Sequence, residues 1–191
     1  DGTVYSAAAY VFTISITAAN DVPTWTTEAA DVSGNEDEAI TIGANVIADV
    51  ESTSLTSMII SSTESGTFTL AGVSGLSFTA GDGTADNAMT FSGTIADINT
   101  AINSMTWTSA ANSNTDAVLT LVANDGTGNS ATNSIAIAVT AVNDVPTWTT
   151  EAVDVAGNED VAISIAANVI ADVESTSLTS MIISSTESGT F

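Results

Sequence analysis

The chain of 191 residues contains no lysine, arginine, histidine or cysteine, and only two prolines. Without a cationic side chain it cannot neutralise phosphate groups, so nucleic acid is excluded as a partner. The same deficit argues against binding to an anionic membrane surface. Without cysteine, neither disulfides nor thiolate metal sites hold the fold. An apolar run of about 18 residues and a basic segment before an apolar one are also missing, so we expect neither a membrane span nor a signal peptide in this stretch.

The chain is rich in acidic and hydrophobic residues: it contains 23 Asp and Glu residues, and 44% of its residues are hydrophobic. That much apolar side chain, mixed with Thr and Ser, is unlike a disordered segment and predicts a folded core. A fold with unopposed negative charge repels itself. We therefore expect the charge to be diluted over the surface or balanced by a bound cation.

The sequence repeats itself. Residues 20–68 return as residues 143–191 with five mild differences, and residues 1–19 resemble residues 125–142 with one insertion. Repeats are the first feature to seek because they decide how the whole chain is organised. We interpret residues 1–19 as the last strand of one repeat, residues 20–142 as a complete repeat and residues 143–191 as the beginning of a third.

Alternation with period two predicts half-buried strands along the complete repeat, separated by turns rich in Gly, Asn, Asp and Ser. One segment has helical spacing instead: Ile95, Ile98 and Ile102 follow Thr94, a candidate N-cap. The fold predicted is all-β, an antiparallel β-sandwich with one short helical turn per repeat. The predicted strands are 12–17, 39–42, 55–61, 67–70, 76–79, 89–92, 105–108, 118–123 and the copy of the first at 135–139.

Three stretches carry a family resemblance: "GDGTADNAMTFSGTIADINTAINSMTWT" at 81–108, "LTLVANDGTG" at 119–128 and "VTAVNDVPT" at 139–147. In this order and spacing they resemble the cadherin-like, Ig-like tandem repeats of large bacterial surface adhesins, the RTX-type and VCBS tandem-repeat proteins. The resemblance covers residues 20–142 and both partial repeats. It implies β-sandwich modules in tandem, export by a type I system, folding in calcium outside the cell, and service as a stalk or filament.

The resemblance also implies calcium ligands, since cadherin-type modules place carboxylates at their ends. The linker motif of the family is matched by Asn-Asp-x-Pro, although Ala18 and Ala141 replace its first Asp, and its Leu-Asp-Arg-Glu motif is missing, with Asp97 a weak substitute. Calcium takes six to eight oxygen ligands, mostly carboxylates and carbonyls. The residues implied as ligands are Asn20, Asp21, Glu36, Asp49, Glu51 and Asp125, with Asn143, Asp144, Glu159, Asp172 and Glu174 in the third repeat.

Each candidate has a structural alternative. Asn124-Asp125-Gly126 also reads as a hairpin turn, and Glu36-Asp37-Glu38 as a solvated loop. The sequence around Asp82 and Asp86 is more typical of a turn than of a pair of calcium ligands. The tryptophans at 25, 107 and 148 favour core or seam packing over sugar stacking.

The near-identity of the repeats also predicts a function. Near-identical neighbouring repeats favour a spacer or filament module of an extracellular adhesin, whose partners are neighbouring repeats or adjacent copies in a fibre. A glycan-binding adhesin domain is the alternative, and a carboxylate-dependent glycosidase a remote one, since His, Cys and Lys are missing. We expect no enzyme. Because residues 143–191 match only part of a repeat, we also expect the apolar faces of Val169, Ile170, Ile182 and Ile183 to need a covering partner.

Overall fold

The computed structural model describes Gly2 and residues 10–184. These residues form thirteen strands and one helix. The elements run in chain order as β1 (Thr24–Thr27), β2 (Val32–Asn35), β3 (Ile40–Thr41), β4 (Val46–Ala48), β5 (Ser54–Ser62), β6 (Gly66–Thr69), β7 (Ser77–Ala80), β8 (Met89–Thr94), α1 (Ile95–Ile102), β9 (Thr106–Ser109), β10 (Ala117–Asn124), β11 (Asn133–Thr140), β12 (Thr147–Thr150) and β13 (Val169–Ala171).

Two sheets share one core within residues 20–142. A six-stranded sheet has the order β2-β11-β10-β5-β8-β7, and a three-stranded sheet has the order β3-β9-β6. Apolar side chains at alternate positions of both sheets, among them Leu119, Ile137 and Trp107, are buried in a single cluster with Ile98 and Ile102 of α1. The predicted all-β fold is confirmed as a mostly β-sheet structure in several sheets, consistent with a β-sandwich.

The pairing departs from the prediction at one edge. β2 pairs with β11 in parallel, with Val32 opposite Ile137 and Asn35 opposite Thr140, whereas the other strand pairs are antiparallel. The expectation of a purely antiparallel sheet is therefore wrong for this pair. Because β2 pairs in parallel with β11, the last strand of the complete repeat, the turn that follows β2 lies beside the point where the chain leaves β11, and Glu36 N donates to Thr140 O at 2.9 Å.

The helix forms where its spacing predicts it. Thr94 is the N-cap, and its hydroxyl accepts a hydrogen bond from Asp97 N at 3.1 Å. Ile98, Ala101 and Ile102 are buried against the core. The side chain of Asn99 ties the helix to β4, donating to Ile47 O and accepting from Ile47 N, both at 2.9 Å. The helix therefore contacts both β4 and β8.

The predicted strand at residues 12–17 does not form; residues 10–23 contain no strand, and Phe12, Ile14 and Ile16 are exposed. Its sequence copy, β11, is held between β10 and β2. The described chain contains one set of those partner strands, and β11 occupies it. The remainder of the predicted first segment, residues 1 and 3–9, lies outside the described residues.

The described part of the third segment repeats the β1–β4 pair of the complete repeat, and the counterparts of β2 and β3 form no strand there. β12 pairs with β13 so that Trp148 faces Ile170, as Trp25 of β1 faces Ile47 of β4. Of the four residues predicted to need a covering partner, Val169, Ile182 and Ile183 are exposed, and Ile170 is half-buried against Trp148. Residues 185–191 of the predicted third segment lie outside the described residues. No helix of the described part of the chain is long and apolar enough to span a membrane.

Candidate metal centre

The candidate ligands of the complete repeat lie at its two ends. The β10–β11 hairpin loop, with Asp125, is at the end where β11 begins. The turn at Glu36, which follows β2, is at the end where β11 finishes, because β2 runs parallel to β11. We call the set Asn20, Asp21, Asp49, Glu51 and Asp125 the proximal cluster. We call the set Glu36, Asp37, Asn112, Asp144, Asp172 and Glu174 the distal cluster.

Hydrogen bonds link the proximal cluster. The Asn20 side-chain nitrogen donates to Asp125 Oδ2 at 2.6 Å, and the backbone nitrogen of Asp21 donates to Glu51 Oε2 at 3.2 Å. Asp49 Oδ1 accepts from the backbone nitrogens of Glu51 at 3.0 Å and Ser52 at 2.6 Å. Its other oxygen, Oδ2, is buried without a hydrogen-bond partner. Sequence-distant acids are thus brought to one end of the fold.

Asp125 is held by several hydrogen-bond donors. It lies in the hairpin loop, where Gly126 adopts a φ of 105°, so the hairpin-turn alternative is correct. Oδ1 accepts from the backbone nitrogens of Thr127 at 2.7 Å and Gly128 at 3.0 Å. The hydrogen bond from Asn20, followed by those from Thr127 and Gly128, holds the pKa of Asp125 well below its usual range. Its carboxylate is therefore ionised across the physiological range.

Glu36 is buried, with 2% of its surface exposed, so the solvated-loop alternative is wrong for this residue. Oε1 accepts from Val142 N at 2.8 Å, in the linker that leaves β11. Oε2 is buried and has no hydrogen-bond partner. A buried carboxylate oxygen without a donor costs free energy unless something else balances it. Glu159, its copy in the third segment, lies exposed in a turn and meets none of the other candidates.

In the third segment the hydrogen bonds of the proximal cluster recur. Asp144 N donates to Glu174 Oε2 at 2.9 Å, and Asp172 Oδ1 accepts from the nitrogens of Glu174 at 3.1 Å and Ser175 at 2.8 Å. The Asn143 side chain donates to Asp144 O at 2.6 Å. The geometry of Asp21, Glu51 and Asp49 is therefore repeated directly after the module ends.

Two members of the distal cluster were not predicted from the sequence. Asp37, with a φ of 60°, accepts from Asn112 N at 3.0 Å through Oδ1. When the Asn112 amide is oriented so that its nitrogen faces these acceptors, the nitrogen donates to Asp37 Oδ2 at 3.1 Å and to Asp144 Oδ2 at 3.0 Å. The position of Asp37 inside the repeated Asn-Glu-Asp was a usable signal, whereas Asn112 occurs in a stretch with no second copy.

Like charges meet at the distal cluster. Burial, and then the charges of Glu174, Asp37 and Glu36, raise the pKa of Asp144 above its ordinary value. Asp37 and Glu36 belong to the complete repeat, and Glu174 to the segment after it. Carboxylates from both sides of the boundary at residues 142–143 therefore act on one another.

Comparisons with known proteins identify no relative. No family model matches the chain, and no curated protein or solved structure matches it. Within the described residues no group of three or more His, Cys, Asp or Glu side chains already stands in metal-binding geometry. The donor set still suits a hard cation, since calcium also takes amide and backbone carbonyl oxygens and water.

The remaining candidates have structural roles. Asp86 Oδ2 accepts from the nitrogens of Asp82 at 2.8 Å and Gly83 at 2.7 Å, so this pair forms the predicted turn. Trp107 is fully buried in the core, and Trp25 packs against it and donates to Ala131 O at 2.9 Å. Trp148 differs, with 46% of its surface exposed, because the described residues of the third segment form no counterpart of the core against which Trp25 packs.

Proposed function

We propose that this chain is part of a tandem array of cadherin-like modules whose joints are stabilised by calcium, and that it serves as a spacer in an extracellular adhesin or surface filament. The distal cluster carries the proposal. Carboxylates of the module and of the following segment converge there, in a chain without a single cationic side chain. Such a cluster is balanced by protons or by cations from solution.

Calcium fits this cluster better than other common ions. Its ligands are hard oxygens in a flexible set of six to eight, and magnesium demands strict octahedral geometry and keeps its waters. The buried oxygen of Glu36 that lacks a donor would supply one such ligand. An ion shared between Glu36 and Asp144 would fix one repeat relative to the next and produce a stiff rod. Catalysis has no place in this proposal, and the resemblance of the sequence to exported adhesins supports an extracellular location.

Thermal unfolding in calcium and in chelator tests the proposal. A ligand at about 100 times its Kd that binds only the folded state adds about 2.7 kcal/mol. For a chain of this size the melting temperature should rise by about 5–10 °C in millimolar calcium. Magnesium should raise it less. An equal rise in sodium chloride alone would show that screening, and not coordination, is responsible.

A matched pair of variants separates coordination from general charge effects. Glu36→Gln removes a buried charge, and Glu159→Gln removes the charge of its exposed copy. In chelator Glu36→Gln should melt no lower than the wild type, because it deletes an uncompensated buried charge. It should also lose most of the rise that calcium produces, while Glu159→Gln keeps it. A full calcium response in Glu36→Gln would contradict the assignment of this residue.

A further inference from the structure

Asn112 occupies the boundary between the complete repeat and the segment that follows. The loop that carries it, between β9 and β10, is anchored on both sides. Asp37 N donates to Ser109 Oγ at 3.2 Å, and Val139 N donates to Asp116 Oδ1 at 2.9 Å. The backbone of Asn112 has a φ of 56°, a conformation that Asn adopts more readily than most residues. Its side chain is thereby presented to the linker at a fixed place.

The Asn112 amide is the neutral group between two carboxylates. The orientation that satisfies its surroundings has the nitrogen donating to Asp37 on one side of the boundary and to Asp144 on the other, at 3.1 and 3.0 Å. A half-turn of the same amide exchanges nitrogen for oxygen, so that an amide oxygen and two carboxylate oxygens then converge. That second arrangement repels itself in the absence of a cation and matches the ligand types that calcium prefers.

A second observation indicates that a cation belongs here. Glu36, adjacent to Asp37 in the chain, keeps a buried oxygen without any hydrogen-bond donor, while its other oxygen holds the linker at Val142. Hydrogen bonds from Asn112 serve Asp37 and Asp144 and leave that oxygen unsatisfied. The hydrogen-bonded arrangement is therefore incomplete.

We propose that the side chain of Asn112 is a reversible lock at this joint. Without a cation its nitrogen bridges Asp37 and Asp144 and holds the linker against the module. When calcium binds, the amide turns and its oxygen becomes a ligand. The second half rests on the proposed function above, and the first half does not. Asn112 thus sets how flexible the joint is without calcium and how tightly it binds calcium.

The test measures the spread of distances across the joint in the full chain. Because the chain has no cysteine, Ser65→Cys and Thr176→Cys introduce the sole pair of thiols for nitroxide labels. Pulsed electron spin resonance then gives the distance distribution in chelator and along a calcium titration. Asn112→Gly removes the amide at a backbone angle that Gly tolerates, and Asn112→Asp replaces it with a carboxylate. Asn114→Gly, at an exposed position of the same loop, is the matched control.

In chelator we expect a broader distribution for Asn112→Gly than for the wild type, and the broadest for Asn112→Asp, since three carboxylates then face one another. Calcium should narrow the wild type further. The calcium midpoint should rise roughly tenfold for Asn112→Gly and fall roughly tenfold for Asn112→Asp, because ligand number and charge tune calcium affinity. Asn114→Gly should behave as the wild type in both conditions.

The two halves of the proposal fail separately. If Asn112→Gly and the wild type give the same distribution in chelator, the amide is no lock. If their calcium midpoints coincide, it is no ligand. If calcium changes nothing in the wild type, the proposed function fails, and the comparison in chelator still decides whether Asn112 bridges the joint.

Discussion

Asp125 and Asp144 lie at opposite ends of the module, and their pKa values move in opposite directions. Donors surround Asp125, with Asn20 the strongest, so its pKa is lowered. Burial and the carboxylates of its neighbours raise the pKa of Asp144. At the scale of single residues, the carboxylate of Asp125 is satisfied by hydrogen bonds of the protein itself, and the carboxylate of Asp144 lies among other negative charges.

The two pKa shifts have opposite effects on the stability of the fold. A lowered folded-state pKa stabilises the fold above the unfolded value, about 3.9 for Asp, and this is lost as the pH falls through the folded value. A raised pKa does the reverse, so the penalty at Asp144 is present when it is ionised and is relieved as the pH falls through its folded value. A bound cation can relieve the same penalty at neutral pH.

Asn20→Ala should raise the pKa of Asp125 toward the ordinary Asp value, because it deletes the hydrogen bond that lowers this pKa most. The carboxyl carbon shift of Asp125 followed by NMR against pH measures the midpoint in each protein. Asn114→Ala, an exposed position before β10 whereas Asp125 follows β10, serves as the control and should leave the midpoint in place. An Asp125 titration that Asn20→Ala does not move would show that the backbone donors of Thr127 and Gly128 suffice.

At the scale of elements, alternation predicted the strands that supply the core. The segments at 55–61, 89–92 and 118–123 are β5, β8 and β10, and the copy at 135–139 is β11. Their apolar positions need a buried face, so the pattern is a direct record of the packing. The same alternation at residues 12–17 produced no strand, because a pattern reports a face and does not supply a partner.

The strands that the sequence did not reveal are short and depend on their surroundings. β2 reads Val-Ser-Gly-Asn, a poor strand sequence. Gly34 is required there because a Cβ atom would lie 2.6 Å from Ile40 Cγ1. β1 and β4 form only as a pair around Trp25 and Ile47. Pairings of this kind are decided by tertiary packing, and local propensity does not predict them.

The cap of α1 gives a prediction at this scale. Thr94 accepts from Asp97 N at 3.1 Å and donates to Asp97 Oδ2 at 2.6 Å. Thr94→Ala should lower the free energy of unfolding by about 1 kcal/mol, because the first turn loses its cap. Thr94→Ser keeps the hydroxyl and should cost much less. Denaturant unfolding measures both variants, and equal losses in the two would point to the methyl group and not to the cap.

For the whole molecule, the repeat predicted more of the candidate site than any single motif did. Two copies of Asn-Asp and of Asp-Val-Glu placed acids at equivalent positions, and the structure repeats their hydrogen bonds around Asp21 and Asp144. The sequence could not show that Asp37 and Asn112 share an end with Asp144. That depends on the parallel pairing of β2 with β11, which brings an early turn beside the chain's exit.

The unequal burial along the chain gives a last prediction, about limits of the folded unit. Aromatic side chains are accessible outside residues 20–142, at Tyr10 (91% exposed), Phe12 (69%) and Trp148 (46%), and the core aromatics Phe68, Phe91 and Trp107 are fully buried. Chymotrypsin cleaves after exposed aromatic residues, and protected sites open only through unfolding. Limited digestion in chelator should therefore accumulate a fragment from about residue 13 to residue 148, identified by its mass. Trypsin should leave the chain intact because it contains no Lys or Arg.

In calcium, cleavage at Trp148 should slow if an ion holds the third segment to the module, while cleavage at Phe12 should continue. Early cutting after Phe68 or Phe91 would show that residues 20–142 are not one cooperative unit.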